Sequence, residues 1–300
     1  LKNNINVIHK QYPEYCRGAI DTAITVKKLL GIIEEEFVAI SGDDDFFIPR
    51  SMDNCVDFLE TNPNYSSAQG SGRFIHYDED RGTSIISGSY NINEYQGTSG
   101  AERIKMLMNN YSMLCYSVQR KEILLKTYKN MELLTNQVFV ELMPVGLSVI
   151  LGKSKKLNEL YIIRGIHDER DVQRPLIEKI LDPQWHKSFQ IYINTLSEEI
   201  RKVDGIEDID AKEIVKQSFI DYMERSLRKI YYNNEVIPLK MISKFMLNRV
   251  KQGLPIYVKK FIKNKILLDG YYDTSGLSKT SPYYDELTSL LSGWNRIYKN

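Results

Sequence analysis

The sequence of 300 residues has few cysteines, almost no net charge and no long apolar run. Its three cysteines, Cys16, Cys55 and Cys115, lie far apart without a C-x-x-C pair, which argues against a disulfide scaffold and a structural zinc site. No apolar run approaches the ~20 residues that cross a bilayer. Glycine-rich loops of the P-loop or Rossmann type are also absent from the sequence. A reducing cytoplasm is therefore the expected compartment.

The sequence does contain alternating strand-like and helix-like segments. Strand patterns occur at 5–9, 37–40, 113–118 and 156–164, and helix patterns at 15–30, 53–60, 101–109, from 121 onward and at 138–151. Residues 69–100 are rich in Gly, Ser, Tyr and Asn, and we expect surface strands and a mobile loop there. Four amphipathic helices are predicted near 189–202, 211–232, 239–251 and 256–268. The pattern predicts an α/β domain over 1–184 and a helical region over 185–300.

Three adjacent carboxylates, Asp43, Asp44 and Asp45, follow the apolar segment 37–40. In open α/β sheets ligands bind beyond the carboxyl ends of strands. Neighbouring carboxylates repel one another unless a cation compensates, and Mg²⁺ and Mn²⁺ prefer carboxylate oxygens. The acidic run therefore predicts a divalent-cation site, with a solvated acidic turn as the alternative.

The run F-V-A-I-S-G-D-D-D-F-F-I-P at 37–49 resembles the D-x-D region of bacterial family-2-like glycosyltransferases with the GT-A fold. The resemblance covers roughly 5–167, and it includes S-M-L-C-Y-S at 112–117, R-K-E-I-L at 120–124 and the helix, glycine and strand pattern at 139–164. It implies a GT-A-like mixed sheet flanked by helices.

The same resemblance implies a site in which Mn²⁺ or Mg²⁺ bridges the diphosphate of a nucleotide sugar. Asp43 and Asp45 would be metal ligands, with Asp45 in direct contact, and Asp44 would lie nearer the donor sugar. In that family two further strands precede the segment equivalent to residue 5. Part of the nucleotide-binding region is therefore expected upstream of Leu1.

One carboxylate stands out in an apolar helical segment, because Glu141 is the only ionisable side chain between Gln137 and Leu151. A carboxylate in such surroundings is costly to bury unless it is paired, and a partly desolvated carboxylate suits the role of a general base. By resemblance, inverting enzymes carry the catalytic base on this helix, so Glu141 is the predicted base. A structural pairing with Arg120 or Arg164, or simple exposure to water, is the alternative.

Two further residues near the end of the strand-like segment 156–164 are predicted to complete the site. By resemblance, a histidine after this strand contributes to the metal or diphosphate site, so His167 is the predicted third metal ligand. Arg164 is a candidate for binding the donor phosphates, because a guanidinium can donate two parallel hydrogen bonds. Pairing with an acidic side chain is the other use of Arg164.

Charge is unevenly distributed along the chain. Residues 225–265 contain eleven Lys or Arg against one acid, so this segment carries +10 and the rest of the chain −9. Basic residues that alternate with apolar ones are typical of helices that dock on anionic lipid, which would suit a lipid-linked acceptor. The alternatives are an anionic acceptor, a partner protein or a helical appendage with solvated lysines. No nucleic-acid-binding motif accompanies the charge, so nucleic acid is not an expected partner.

Together these features predict a metal-dependent, inverting glycosyltransferase of bacterial surface-polysaccharide synthesis. The substrates would be a nucleotide-diphosphate sugar and a saccharide or lipid-linked saccharide, and the expected location is the cytoplasm or the inner face of the membrane. Two other functions are compatible with the sequence: a metal-dependent phosphoryl-transfer or pyrophosphohydrolase enzyme, and a non-catalytic carbohydrate- or membrane-binding module.

Overall fold

A computed structural model of the chain describes residues 19–78, 83–90, 92–165, 182–228 and 271–272. The helices of this part are α1 (Ala19–Leu30), α2 (Pro49–Thr61), α3 (Gly100–Asn109), α4 (Lys121–Thr127), α5 (Gln137–Leu151), α6 (Trp185–Asp204) and α7 (208–228). The strands are β1 (Phe37–Val38), β2 (Asp45–Phe47), β3 (Tyr65–Asp78), β4 (Thr83–Tyr90), β5 (Val118–Arg120), β6 (Lys153–Gly165) and β7 (Tyr271–Tyr272). A short 3₁₀ helix, Met131–Leu133, connects α4 to α5.

The strands form one curled, mixed sheet centred on β3. Strand β3 pairs antiparallel with β4 and β5 and parallel with β6. At the edges, β1 pairs with β5, β7 pairs with β4, and β2 pairs antiparallel with β6. The predicted α/β class is therefore confirmed for the described residues.

Helix α2 covers one face of the sheet. Its first residue, Pro49, has a backbone angle suited to the first helical turn, and the buried side chains of Cys55 and Leu59 are one turn apart. They pack with Ala68 and Tyr161 of the sheet in one apolar cluster. This packing fixes the segment that leads from the acidic run into α2.

The larger of the apolar cores is formed by α1, α3, α4, α5, α6 and α7, and α5 lies at its centre. The ring of Phe139 lies 4.7 Å from the ring of Trp185, 5.4 Å from Tyr192 and 5.5 Å from Phe219, measured between centroids. Helices α6 and α7, which follow the predicted boundary at 184/185, therefore share a core with α5.

Two polar side chains hold α3 and α5 in place. The carboxylate of Asp204, at the end of α6, accepts hydrogen bonds from the backbone nitrogens of Gly100 and Ala101 at 2.8 and 2.7 Å. It thereby satisfies the free N–H groups at the start of α3. The buried guanidinium of Arg103 donates to the carbonyl oxygens of Val149 and Ile150 at 2.5 and 2.6 Å, which satisfies the end of α5.

Most helix predictions are confirmed, at 19–30, 53–60, 101–109, from 121, 138–151, 189–202 and 211–228, as are the strands at 37–38 and 156–164. The strand predicted at 113–118 was wrong, because β5 begins only at Val118. Residues 69–100 contain strands, as expected, but these residues are not confined to the surface. They supply much of β3, the central strand, in which Gln69 and Ile75 are fully buried.

The segments 5–9, 239–251 and 256–268, and all of the basic segment except 225–228, lie outside the described residues. Among the helices that the structure describes, none has both the length and the apolar character to cross a membrane.

Candidate functional site

The acidic run forms a turn between β1 and β2. Asp43 is exposed, Asp44 is partly buried and Asp45 is buried as the first residue of β2. The β2–β6 pairing places Asp45 opposite Arg164. Two side chains that are far apart in the sequence therefore meet because two strands pair.

Asp45 and Arg164 form an ion pair in which Arg164 Nε donates to Asp45 Oδ1 at 3.2 Å. The side chain of Asp45 is 1% exposed and that of Arg164 is 16% exposed. Arg164 Nη2 also donates to Tyr116 Oη at 2.8 Å. Two aromatic rings complete the surroundings of the guanidinium, whose carbon lies 4.4 Å from the ring centre of Tyr116 and 4.9 Å from that of Tyr90.

The second carboxylate oxygen of Asp45 is buried and has no hydrogen-bond partner among the described residues. Burial raises the pKa of Asp45, although the nearby Arg164 opposes this shift. This oxygen, Asp45 Oδ2, lies beside Gly42. A Cβ added at Gly42 would be 3.1 Å from Asp45 Oδ2 and 2.8 Å from Asp44 Oδ1. Oxygens of two adjacent carboxylates thus border the same small space beside Gly42.

This arrangement fits a divalent cation. Hard cations bind carboxylate oxygens. A cation beside Gly42 would reduce the repulsion between the carboxylates of Asp44 and Asp45, and it would give Asp45 Oδ2 a partner. Within the part of the chain that is described, no group of three or more His, Cys, Asp or Glu side chains converges as a metal site. The predicted third ligand, His167, lies outside the described residues, and the ligand set stays a prediction.

A cavity of about 850 Å³ opens next to the acidic turn. Its lining includes Ser41 and Gly42, which directly precede the acidic turn, Cys115 and Tyr116 of the segment before β5, and Glu141 of α5. Apolar side chains of α1, α4 and α5 form much of the rest of the wall. A volume of this size lies within the range of small-molecule sites, which is roughly 300–1,000 Å³.

Glu141 is the exposed residue of an otherwise buried stretch of α5. Its carboxylate Oε1 accepts a hydrogen bond from Tyr111 Oη at 2.8 Å. The alternative partners expected from the sequence are engaged elsewhere: Arg164 pairs with Asp45, and Arg120 donates to the carbonyl oxygens of Tyr65 and Leu59. Glu141 therefore faces the cavity and solvent rather than an arginine, and the partly desolvated surroundings expected from its apolar segment are not observed.

The structure brings most of the predicted residues to one region. Asp44, Asp45 and Arg164 lie together, and Glu141 lines the cavity that Ser41 and Gly42, just before the aspartates, also line; the aspartates and Arg164 are not part of that lining. Arg164 has Asp45 and Tyr116 as its partners, and its predicted contact with phosphate stays a prediction.

Sequence reasoning missed the four residues that organise this site, namely Gly42, Tyr90, Tyr111 and Tyr116. The only available signal was the position of Gly42 and Tyr116 inside the motifs at 37–49 and 112–117. With 20 tyrosines in the chain, nothing in the sequence distinguished Tyr90 or Tyr111 from the others.

No protein-family model matches the chain, and no curated protein matches it.

Proposed function

We propose that the chain is a metal-dependent glycosyltransferase of the GT-A type. It would move a sugar from a nucleotide-diphosphate donor to a hydroxyl of a saccharide or lipid-linked saccharide. One observation supports this most strongly: Ser41 and Gly42, which directly precede the three aspartates, line the same cavity of about 850 Å³ as Glu141. A transferase of this kind needs a cation site for the leaving diphosphate and a base for the acceptor within reach of one substrate space.

Asp44 and Asp45 are the residues that would hold the cation, since their carboxylate oxygens border the space at Gly42. The exposed Asp43 and the predicted His167 remain candidates for further ligands. When bound, Mn²⁺ or Mg²⁺ supplies a positive charge that stabilises the departing nucleoside diphosphate. Arg164 holds Asp45 Oδ1, so that Oδ2 remains for the cation.

Glu141 would be the general base. Its carboxylate would take the proton of the acceptor hydroxyl while the hydroxyl oxygen attacks the anomeric carbon of the donor sugar. The bond from that carbon to the diphosphate oxygen breaks as the new bond forms on the opposite face, which inverts the configuration. General bases of this kind accelerate transfer by roughly 10²–10⁴-fold.

The basic segment 225–265 would bring the enzyme to an anionic surface at the inner face of the membrane. A lipid-linked acceptor of surface-polysaccharide synthesis would be found there. The membrane location is proposed from the charge of this segment.

The test is an assay of sugar nucleotides with different bases, with and without Mn²⁺, in which the products are identified. We expect release of nucleoside diphosphate that depends on the cation, and transfer that falls roughly 10²–10⁴-fold in Glu141→Gln. The matched control is Glu122→Gln, because Glu122 is an exposed glutamate at the start of α4. Release of free phosphate would instead indicate a phosphoryl-transfer enzyme, and no turnover of any donor would favour a binding module.

A further inference from the structure

Tyr111 connects the candidate base to the aromatic core. It follows α3, and its hydroxyl donates to Glu141 Oε1 at 2.8 Å across 30 residues of sequence. Its ring meets the ring of Tyr222 edge to face, with centroids 5.6 Å apart and planes inclined by 68°. Tyr222 lies on α7 and contacts Phe219, which packs on Phe139 of α5.

Tyr111 is suited to donate a hydrogen bond at every physiological pH. Burial raises its pKa well above the usual value, and the neighbouring negative charge of Glu141 raises it further. The phenol therefore keeps its proton, and its hydroxyl donates to the glutamate rather than taking a proton from it.

Glu141 needs such a partner because its side chain projects from an exposed position of α5. An exposed glutamate samples several rotamers, and only some of them bring the carboxylate within hydrogen-bond reach of an acceptor hydroxyl. A hydrogen bond on Oε1 selects one orientation. Among the described residues, Oε2 takes no hydrogen bond from a side chain or backbone group, and this oxygen is suited to the acceptor proton.

We infer that Tyr111 is a positioning residue: its hydroxyl orients Glu141 for proton abstraction, and Tyr222 of α7 supports its ring. The inference rests on the proposed function of Glu141. It also assigns a role to α7, because the helix that leads into the basic segment supports the catalytic side of the cavity.

The experiment compares Tyr111→Phe with the wild type in the sugar-transfer assay and measures kcat and KM separately. The substitution removes the hydroxyl and keeps the ring that packs on Tyr222. We expect kcat to fall on the order of 10- to 100-fold, with the KM of the donor unchanged, since misplacement of a catalytic group by about 1 Å has effects of this size. Tyr192→Phe is the matched control, because the buried hydroxyl of Tyr192 has no hydrogen-bond partner among the described residues.

The double variant Tyr111→Phe/Glu141→Gln separates positioning from general damage. If Tyr111 acts through Glu141, removing its hydroxyl costs nothing further once the carboxylate is gone. Wild-type kcat in Tyr111→Phe would overturn the inference alone, as would an equal loss in both backgrounds. If the wild-type chain transfers no sugar at all, the proposed function fails and the inference falls with it.

Discussion

Arg164 Nε lies 3.2 Å from Asp45 Oδ1, and this contact joins the first residue of β2 to the penultimate residue of β6. Both side chains are largely buried, and the guanidinium is also held by Tyr90 and Tyr116. The pair fixes one oxygen of Asp45 and leaves the other beside Gly42 and Asp44. The same contact thus stabilises the fold and orients the proposed cation ligand.

Loss of the buried Asp45–Arg164 ion pair should strongly lower the free energy of unfolding. Arg164→Gln leaves a buried carboxylate without its counter-ion, and we expect the free energy of unfolding to fall by about 3 kcal/mol. Asp45→Asn in the same chain should recover part of that loss, because no buried charge then remains. Urea denaturation measures both values.

The matched control for Arg164→Gln is Lys155→Gln. Lys155 pairs with Glu94 at 2.9 Å, but both side chains are considerably more exposed, at 29% and 41%. We expect that substitution to cost less than about 1 kcal/mol. Equal losses in Arg164→Gln and Lys155→Gln would contradict the stabilising role given to the buried pair.

Substitution of Asp204 should also lower the free energy of unfolding, independently of the Asp45–Arg164 pair. Its carboxylate satisfies two backbone N–H groups at the start of α3, so Asp204→Ala should lower the free energy of unfolding by about 1–2 kcal/mol. The control on the same helix is Glu198→Ala, whose ion pair with Lys202 is solvent-exposed and should contribute less than about 0.5 kcal/mol. The role of Asp204 would be refuted if the two substitutions had the same effect.

The rate at which a thiol reagent labels Cys115 should depend on pH. Burial raises the pKa of Cys115 to about 12, so almost all of the thiol is protonated at pH 8. Only the thiolate reacts, and the labelling rate should rise about tenfold per pH unit while the protein stays folded. Titration with a thiol reagent in a Cys16→Ser variant measures this, because only Cys55 and Cys115 then remain.

The unfolded Cys16→Ser chain serves as the reference for labelling. In denaturant both remaining thiols should react within the time expected for ordinary cysteines. Cys55 is fully buried in the folded chain, and burial raises its pKa as well. Rapid reaction of Cys115 at pH 8 in the folded state would show that its surroundings differ from those described.

The helices were predictable from sequence because their signals are local. The apolar run of α5 identified that helix, and it identified Glu141 as the one ionisable residue on it. The sequence did not show that Glu141 is exposed, because the packing of α1, α3, α4, α6 and α7 decides which side of α5 meets solvent. An almost entirely apolar helix has no amphipathic pattern from which this side could be predicted.

The acidic turn was predictable as a candidate site, but its surroundings were not. Asp45 meets Arg164 through strand pairing across 119 residues, and the partner of Glu141 comes from a loop 30 residues away. Such contacts depend on the register of the sheet and on tertiary packing, which residue spacing does not encode.

The central position of β3 was missed for a similar reason. Its Gly- and Ser-rich sequence is typical of a surface segment, but close packing against β6 requires small residues. At Gly70 an added Cβ would lie 2.5 Å from the carbonyl oxygen of Glu159.

Isothermal titration of Mn²⁺ into the folded chain, alone and with a nucleoside diphosphate, tests most directly whether Asp45 holds a divalent cation. We expect saturable Mn²⁺ binding that Asp45→Asn weakens at least tenfold, while Asp53→Asn, at an exposed position of α2, leaves it unchanged. Binding of equal strength in Asp45→Asn and the wild type, or no binding to the folded wild-type chain, would contradict this role of Asp45.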